Sequence, residues 1–395
     1  MINIAILGCG VVGGGCANLV CENKNIIISD VGEEINVKYI LDLRDLSSGP
    51  FADKMTADFD VILNDDSITT VIETMGGSRP AYDYTLALLE KGKNVVTSNK
   101  EVVSKFGDVL LEAARVHNVS YLFEASVGGG IPLIRTISSS IAPVNSIREI
   151  SGILNGTTNY ILTRMFGCGI DFASALEEAQ NKGYAEKNPS ADIDGIDAAR
   201  KTNILAAIAT GKLAGEELIH TEGISSITRE DVDNAKYAKY EIKLLGRVIN
   251  TEEGTYAYVA PHLIPSSDML ANVSGVYNAV CIFGNFVGDV MLYGQGAGAN
   301  ATASAVVSDV VNIAAHRVGN MPSWKRDNAF PLDFSGYKCK RYVRFAGNVS
   351  LEKVISVFGE SKILAKNAVI IPEISEKDFA SLAKSFEIAN MIRLA

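Results

Sequence analysis

Apolar runs and polar, glycine-broken stretches alternate through the first third of the chain. Asn3 to Leu7 is a short apolar run that enters a cluster of glycines, and an apolar helix is predicted behind it from Val12 to Val20. Strand, turn and helix in that order form the unit of a parallel sheet, in which each strand needs a crossover to return in the same direction. Further strands are predicted at Val37 to Leu41, Val61 to Leu63, Val71 to Glu73, Asn94 to Thr97 and Ser120 to Glu124, separated by helical stretches such as Tyr82 to Lys91 and Phe106 to His117. The spacing predicts an α/β fold, a Rossmann-type doubly wound parallel sheet, over residues 1–132.

From about Leu133 the pattern changes. Strands are predicted around Ile147 to Leu154 and Ala257 to Leu263, with longer helices at Thr158 to Met165, Phe172 to Lys182 and Asp194 to Thr210. A mixed α+β domain over 133–320 is the expectation. Ala299 to Ala315 is a helical run of small residues suited to close helix packing, and 296–318 is expected to return to the first domain. After Pro322 and Trp324 the pattern resets, so 321–339 reads as a linker. The tail, 340–395, reads as strand, helix, strand, helix, strand, at Lys340 to Phe345, Leu351 to Phe358, Ala365 to Ile371, Glu376 to Phe386 and Ala389 to Leu394.

Composition narrows the functional classes. With 47% hydrophobic and 21% charged residues, general disorder is excluded. A net charge of −10 and the lack of a basic stripe argue against nucleic acid, which is gripped mainly by Lys and Arg. No apolar run approaches the roughly 20 residues of a spanning helix, and Met1 to Leu7 reads as a strand rather than a signal peptide. The expected compartment is cytoplasmic, with no membrane partner. The cysteines (Cys9, Cys16, Cys21, Cys168, Cys281, Cys339) are scattered, without a CxxC pair or a neighbouring His at metal spacing, and read as free thiols.

Gly8-Cys9-Gly10-Val11-Val12-Gly13 has the GxGxxG pattern in the context it requires, after an apolar strand and at the opening of a helix. Gly8 permits the tight turn, Gly10 lets backbone approach a pyrophosphate, and Gly13 allows close helix–strand packing. The helix N-terminus, through Val11 and Val12, then offers unpaired N–H groups to phosphate. Asp42 ends the second strand, where a carboxylate hydrogen-bonds a ribose 2′-hydroxyl in NAD sites. Arg44, two residues on, is instead suited to the 2′-phosphate of NADP, so both cofactors stay open.

Longer motifs carry a family resemblance. Glu73-Thr74-Met75-Gly76-Gly77, Gly92 to Lys100 ending in Thr97-Ser98-Asn99-Lys100, Glu124 to Pro132, Gly152 to Tyr160 containing Asn155-Gly156-Thr157, Gly183-Tyr184-Ala185-Glu186 through Asp197-Ala198-Ala199-Arg200-Lys201, and Gly294 to Asp309 follow one another in order. Over roughly residues 1–318 the chain resembles homoserine dehydrogenase. The resemblance implies reversible NAD(P)H-dependent reduction of L-aspartate 4-semialdehyde to L-homoserine, on the way to threonine and methionine, by a homodimer or higher homo-oligomer acting on a small amino-acid substrate. A non-catalytic nucleotide-binding sensor on the same fold is the alternative.

Reducing an aldehyde needs a hydride donor, a proton for the developing alkoxide and a grip on the charged ends of the substrate. Asp197 and Lys201 stand four residues apart on a predicted helix, so both project from one face. The resemblance implies Lys201 as proton donor and Asp197 as its partner, with Lys100 close to substrate and nicotinamide; the residues alone leave open whether Lys201 or Lys100 transfers the proton. Glu186, Asp192 and Asp197 would face the substrate ammonium, in a pocket also lined by Gly156, Thr157 and Tyr184. Around the dinucleotide it implies Thr74, Gly76, Ser98 and Gly298 beside Gly8 to Gly13. Glu124 with Val127, Gly129 and Ile131 resembles a loop that holds a monovalent cation, sodium or potassium, by carbonyl and carboxylate oxygens; a glycine turn without an ion reads the same. Asn188 stands where the family usually has an aspartate, and Asn300-Ala301-Thr302 lacks the usual proline before the threonine. Residues 340–395 resemble a shortened ACT-like module, whose full form is βαββαβ. The loop Ala346 to Ser350 lacks the acidic, proline-glycine turn of that module, so amino-acid feedback and a purely structural or dimer-forming cap both stay open.

Overall fold

Strand β1 (Ile2–Leu7) sits at the centre of a six-stranded sheet because Ile4 to Leu7 are apolar on both faces and fully buried. The structure, a computed structural model, describes residues 1–46, 48–319 and 322–395. Around β1 lie β2 (Ile35–Leu41), β3 (Met55–Thr56), β4 (Ile68–Glu73), β5 (Asn94–Thr97) and β6 (Tyr121–Leu122), in the order β3-β2-β1-β4-β5-β6. Every pairing in it is parallel. The order reverses between β1 and β4, and in such sheets ligands bind beyond the carboxyl ends of the strands at that switch. Val61 to Leu63, expected as a strand, is part of a short helix, Phe59–Leu63, which Asp58 caps by accepting from the Asp60 N–H. Three apolar residues do not distinguish the two, and the cap decides it. Only Tyr121–Leu122 of the expected strand 120–124 is extended, and Glu124 opens a 3₁₀ turn.

Helix Lys100–Val116 illustrates how local chemistry sets the elements. Asn99 caps it by accepting from the Val102 N–H, and Val102, Val103, Leu110, Leu111 and Ala114 repeat at helical spacing on its buried face. It stops at His117, before Asn118 at φ 53°. Helix Ala299–Ala314 packs on helix Val11–Glu22 so closely that a Cβ added to Gly15 would lie 3.3 Å from the Ala303 Cβ.

The chain divides into two units, Met1–Ser146 with 203–216 and 294–327, and 147–202 with 217–293 and 328–395. The first crossing comes after Ser146 rather than at 132, because Glu124 accepts from the backbone N–H groups of Ile134 and Arg135 and ties that segment to the first unit. The expected linker, 321–339, is not a free segment. Trp324 is buried against Gly107, Lys325–Arg326 forms a short strand with Lys212–Leu213, and Phe330 is buried in turn. Its first residue, Met321, and the domain end placed at Asn320 lie outside the described residues.

The second unit is built on a ten-stranded sheet. Its centre is the long hairpin Tyr240–Thr251 and Gly254–Pro265, flanked by Ile147–Ile153 and then Tyr277–Gly284. The tail joins this sheet directly, since Ile388–Leu394 pairs parallel with Gly254–Pro265 at His262 and Leu263. The tail is also fuller than expected. What reads as one strand, 365–371, is a hairpin of Lys362–Ala365 and Ala368–Ser375 turning at Lys366-Asn367, so the order is β-α-β-β-α-β. Among the described residues no helix is long and apolar enough to cross a membrane.

Candidate functional site

In the first unit, the turns after β1, β2 and β4 enclose a cavity of about 340 Å³ lined by Gly8, Gly10, Asp42, Arg44, Thr74 and Gly76 among others. The glycines are there for different reasons. Gly8 has φ 93°, which favours a residue without Cβ, and a Cβ on Gly13 would sit 1.9 Å from the Gly8 carbonyl oxygen and 2.7 Å from Thr74 Oγ1. A Cβ on Gly10 or Gly76 would meet nothing within 4 Å, so these two face open space. Gly10 caps helix Val11–Glu22 without a side-chain hydrogen bond, Val11 is exposed and Val12 partly so. Thr74 Oγ1 donates to the carbonyls of Leu7 and Gly8, locking the β4 turn to the glycine turn. These features fit a dinucleotide pyrophosphate at the helix N-terminus.

Asp42 is already engaged. Its carboxylate accepts from the Cys9 N–H at 2.8 Å and from Arg44 through N, Nε and Nη2 at 2.7–3.0 Å. The Arg44 guanidinium beside it holds the carboxyl well below the usual carboxylate range, against the opposing effect of burial. Arg44 itself is largely exposed and also donates to the Cys9 carbonyl.

Beneath this turn lies a carboxylate that the motifs quote but to which sequence reasoning gives no role. Glu73 ends β4 fully buried, accepting from Thr97 Oγ1 at 2.6 Å and from the Met75 N–H at 2.7 Å. Burial pushes it up to about 7 despite those donors. Thr97 Oγ1 in turn accepts from the Asn99 N–H, and the Asn99 amide donates to the carbonyls of Met75 and Gly77. Glu73 thus ties the loop holding Thr74 and Gly76 to the turn that carries Ser98 and Lys100. Lys100 is the first residue of helix Lys100–Val116, and the Ser98 N–H approaches the Glu73 carbonyl. The available signal was a single acid closing an apolar strand at the carboxyl edge.

The two remaining glycine turns, 127–131 and 294–298, press against each other. A Cβ on Gly129 would lie 2.5 Å from Gly296, and the Gly130 N–H donates to Gln295 O. Gly298, at φ 123°, caps helix Ala299–Ala314 without a side-chain hydrogen bond, and Ala301 rather than a proline precedes Thr302. The expected cation ligands fit only in part. The Glu124 carboxylate accepts from the N–H groups of Ile134 and Arg135, at 2.7 and 2.8 Å. The Ile131 carbonyl already accepts from Leu133 N–H. Val127 and Ile131 are buried. Asp309, pushed up to about 7 by burial, accepts from the Glu124 N–H and from Arg135.

In the second unit the candidate residues converge on the end of strand Ile147–Ile153. Lys201 and Asp197, both buried, project from one face of helix Ile196–Thr210, with Nζ donating to Asp197 Oδ2 at 2.8 Å and to the Leu154 carbonyl at 2.7 Å. Asn155, quoted in the motif but not singled out, donates from Nδ2 to Asp192 Oδ1 at 2.7 Å and to Asp197 Oδ2 at 3.0 Å. Its own Oδ1 accepts from the Thr158 N–H and so caps helix Gly156–Cys168. Gly156 has no room for a side chain, since a Cβ would lie 2.6 Å from Val276 O. Thr157 Oγ1 donates to Tyr184 O, and the Tyr184 ring packs edge-on against Tyr160. Glu186 is not drawn into this cluster. It stands on an exposed loop with its carbonyl accepting from Gln180, and among the described residues its carboxylate has no hydrogen-bond partner. Asn188 accepts from the N–H and the hydroxyl of Ser190 just ahead of the short helix Ser190–Ile193, a local job an aspartate would do equally well.

Comparison with known proteins covers both units. A family model described as homoserine dehydrogenase matches residues 132–311, and one described as the homoserine dehydrogenase NAD binding domain matches 8–124. The homoserine dehydrogenase of Neisseria gonorrhoeae is 40% identical over 330 residues, 81% of this chain and 75% of that protein. The crystal structure of a homoserine dehydrogenase from Thiobacillus denitrificans aligns with a TM-score of 0.90 at 35% identity, covering 100% of this chain and 98% of that one. A hyperthermophilic archaeal homoserine dehydrogenase solved in complex with NADPH aligns with a TM-score of 0.70 at 28% identity, over 81% of this chain and 99% of that one.

Proposed function

Because the chain belongs to the homoserine dehydrogenase family, NAD(P)-dependent oxidoreductases that interconvert L-aspartate 4-semialdehyde and L-homoserine, we propose that Lys201 is its proton-transfer group and Asp197 the residue that holds it. The observation that carries this reading is the buried Lys201 ammonium, which donates to the Asp197 carboxylate at 2.8 Å and the Leu154 carbonyl at 2.7 Å. A nicotinamide dinucleotide, when bound, supplies or accepts the hydride at C4. Gly8 to Gly13, with Thr74, Gly76 and Gly298, would hold it, and Asp42 and Arg44 would meet its adenosine ribose. In the reducing direction Lys201 gives a proton to the alkoxide oxygen; in the oxidising direction the neutral amine takes the hydroxyl proton. Asp192 and Asp197 offer negative charge to the substrate ammonium, with Gly156, Thr157, Tyr184, Glu186 and Lys100 as further substrate contacts. Nothing favours the non-catalytic sensor, which would have no use for a buried lysine–aspartate pair.

The test is direct. Purified protein with L-homoserine should form NADH or NADPH, and Lys201→Ala should lower turnover by at least about 10²-fold with cofactor affinity nearly unchanged. Lost dinucleotide binding with normal turnover would contradict the role given to Lys201. The reading extends to a cytoplasmic homo-oligomer, most simply a dimer. The exposed apolar hairpin around Phe286, with Tyr277 and Tyr293 stacked beside it, supports that assembly. Light scattering that returned the monomer mass at micromolar concentration would remove it.

A further inference from the structure

Two aspartates and a helix start meet at one amide, and a lysine shares one of the two carboxylates. Asp192 belongs to the short helix Ser190–Ile193, Asp197 to helix Ile196–Thr210, and neither is near Asn155 in sequence. The Asn155 Nδ2 hydrogens nevertheless reach both carboxylates, at 2.7 and 3.0 Å. The oxygen reached on Asp197 is Oδ2, the one that also accepts from Lys201. The residue before it, Leu154, gives the lysine its carbonyl acceptor. Asn155 is itself only 6% exposed, and its Oδ1 is committed to the Thr158 N–H, which settles which end of the amide faces the aspartates.

We propose that Asn155 is a positioning residue for the proton-transfer pair: its amide clamps Asp192 and Asp197 on either side and thereby fixes the Asp197 carboxylate that orients Lys201. Two ionised carboxylates sharing a site repel one another, and a donor bridging them stabilises both in the charged form. An N-cap alone needs only an oxygen, which serine or aspartate supplies as well. The amide therefore does something the cap does not ask for. Removing its donors weakens the hold on both carboxylates and so on the orientation of Lys201, while the helix start survives. The inference rests on the reading of Lys201 given above.

Two variants separate the amide from the cap. Asn155→Ser keeps a capping oxygen and replaces the two amide donors by one shorter hydroxyl that cannot bridge both aspartates; it should melt like the parent, bind the dinucleotide equally well and lose about 10- to 100-fold in kcat, the effect of one hydrogen bond to a charged group. Asn155→Asp keeps size and cap but places a third carboxylate beside Asp192, Asp197 and Lys201, the charged groups that meet at this amide. It should shift the alkaline rise of homoserine oxidation to higher pH, because added negative charge favours the protonated lysine. A purely structural role would move the melting temperature and leave the pH profile in place. If Lys201→Ala is inactive while both Asn155 variants keep the parental kcat and pH profile, the inference is overturned and the Lys201 reading stands. If Lys201→Ala is itself fully active, the reading fails first.

Discussion

Replacing Asp231 with alanine is expected to loosen the tail from the rest of the second unit. Asp231 is buried in helix Arg229–Tyr237 and gathers six donor atoms: Arg344 Nε and Nη2 at 2.7 and 3.2 Å, Asn390 Nδ2 at 2.9 Å, Tyr342 Oη at 3.1 Å, and Thr228 N and Oγ1 at 2.9 and 2.7 Å. Three of these partner residues lie in the tail. Removing one member of a buried ion pair costs about 3–5 kcal/mol, because the other charge stays buried. Arg344 keeps Glu230 at 3.1 Å, but that carboxylate is half exposed, and exposed pairs are worth about 0–1 kcal/mol. Amide hydrogen exchange in strands Lys338–Phe345 and Ile388–Leu394 should therefore accelerate roughly 10²- to 10³-fold, with strands of the nucleotide unit unaffected. Burial works to raise the Asp231 pKa, yet hydrogen bonds from Arg344, Asn390 and Thr228 win and leave it below the usual value. Its contribution is thus complete above about pH 4 and is lost as pH falls through the depressed value. Unchanged protection of both strands in Asp231→Ala would refute the view that this knot holds the tail in place.

Other outcomes follow from the same structure. Arg44→Ala should raise KM for NADP(H) by about 10- to 100-fold and leave NAD(H) within about threefold, since Asp42 is already engaged and the exposed guanidinium is what a 2′-phosphate would meet; equal losses with both cofactors would show otherwise. Gly13→Ala should weaken dinucleotide binding at least about tenfold in a fluorescence titration, because the new Cβ would fall 1.9 Å from the Gly8 oxygen. Glu73 has a folded-state pKa raised to about 7 from 4.5, so the folded protein holds an extra proton between those values and loses stability as pH rises through that window. Glu73→Gln should remove a slope worth on the order of 3 kcal/mol. Parallel pH–stability curves for parent and variant would contradict this.

The nucleotide sheet and the lysine pair were legible because local patterns carry them: a glycine turn between strand and helix, and an acid four residues before a lysine. The long central hairpin of the second unit was mostly hidden. Lys243, Arg247 and His262 interrupt its apolar pattern yet are all buried, paired with the Val273 carbonyl, Glu149, and Tyr258 with the Ala260 carbonyl respectively. A charged letter reads as solvent-facing until its partner on another strand is known. The roles of Asn155 and Glu73 escaped for the same reason. An asparagine before a helix announces a cap, but nothing near it in sequence tells that its other end faces two aspartates some forty residues on.

The helix Ala299–Ala314, lying along Val11–Glu22, has a consequence for biogenesis. Its Ala303, Val306 and Val310 share one apolar cluster with Ile4, Cys16, Ala17 and Val20, and Arg317 reaches Asp30 across 287 residues of chain. On the ribosome the amino-terminal sheet emerges well before this covering helix is made. Until then a greasy flank stays open to water and to other nascent chains. Closing it is a distant event along the polymer, which slows maturation relative to a nucleotide fold complete in one stretch. A fragment ending near residue 146 would carry that bare flank permanently and should aggregate.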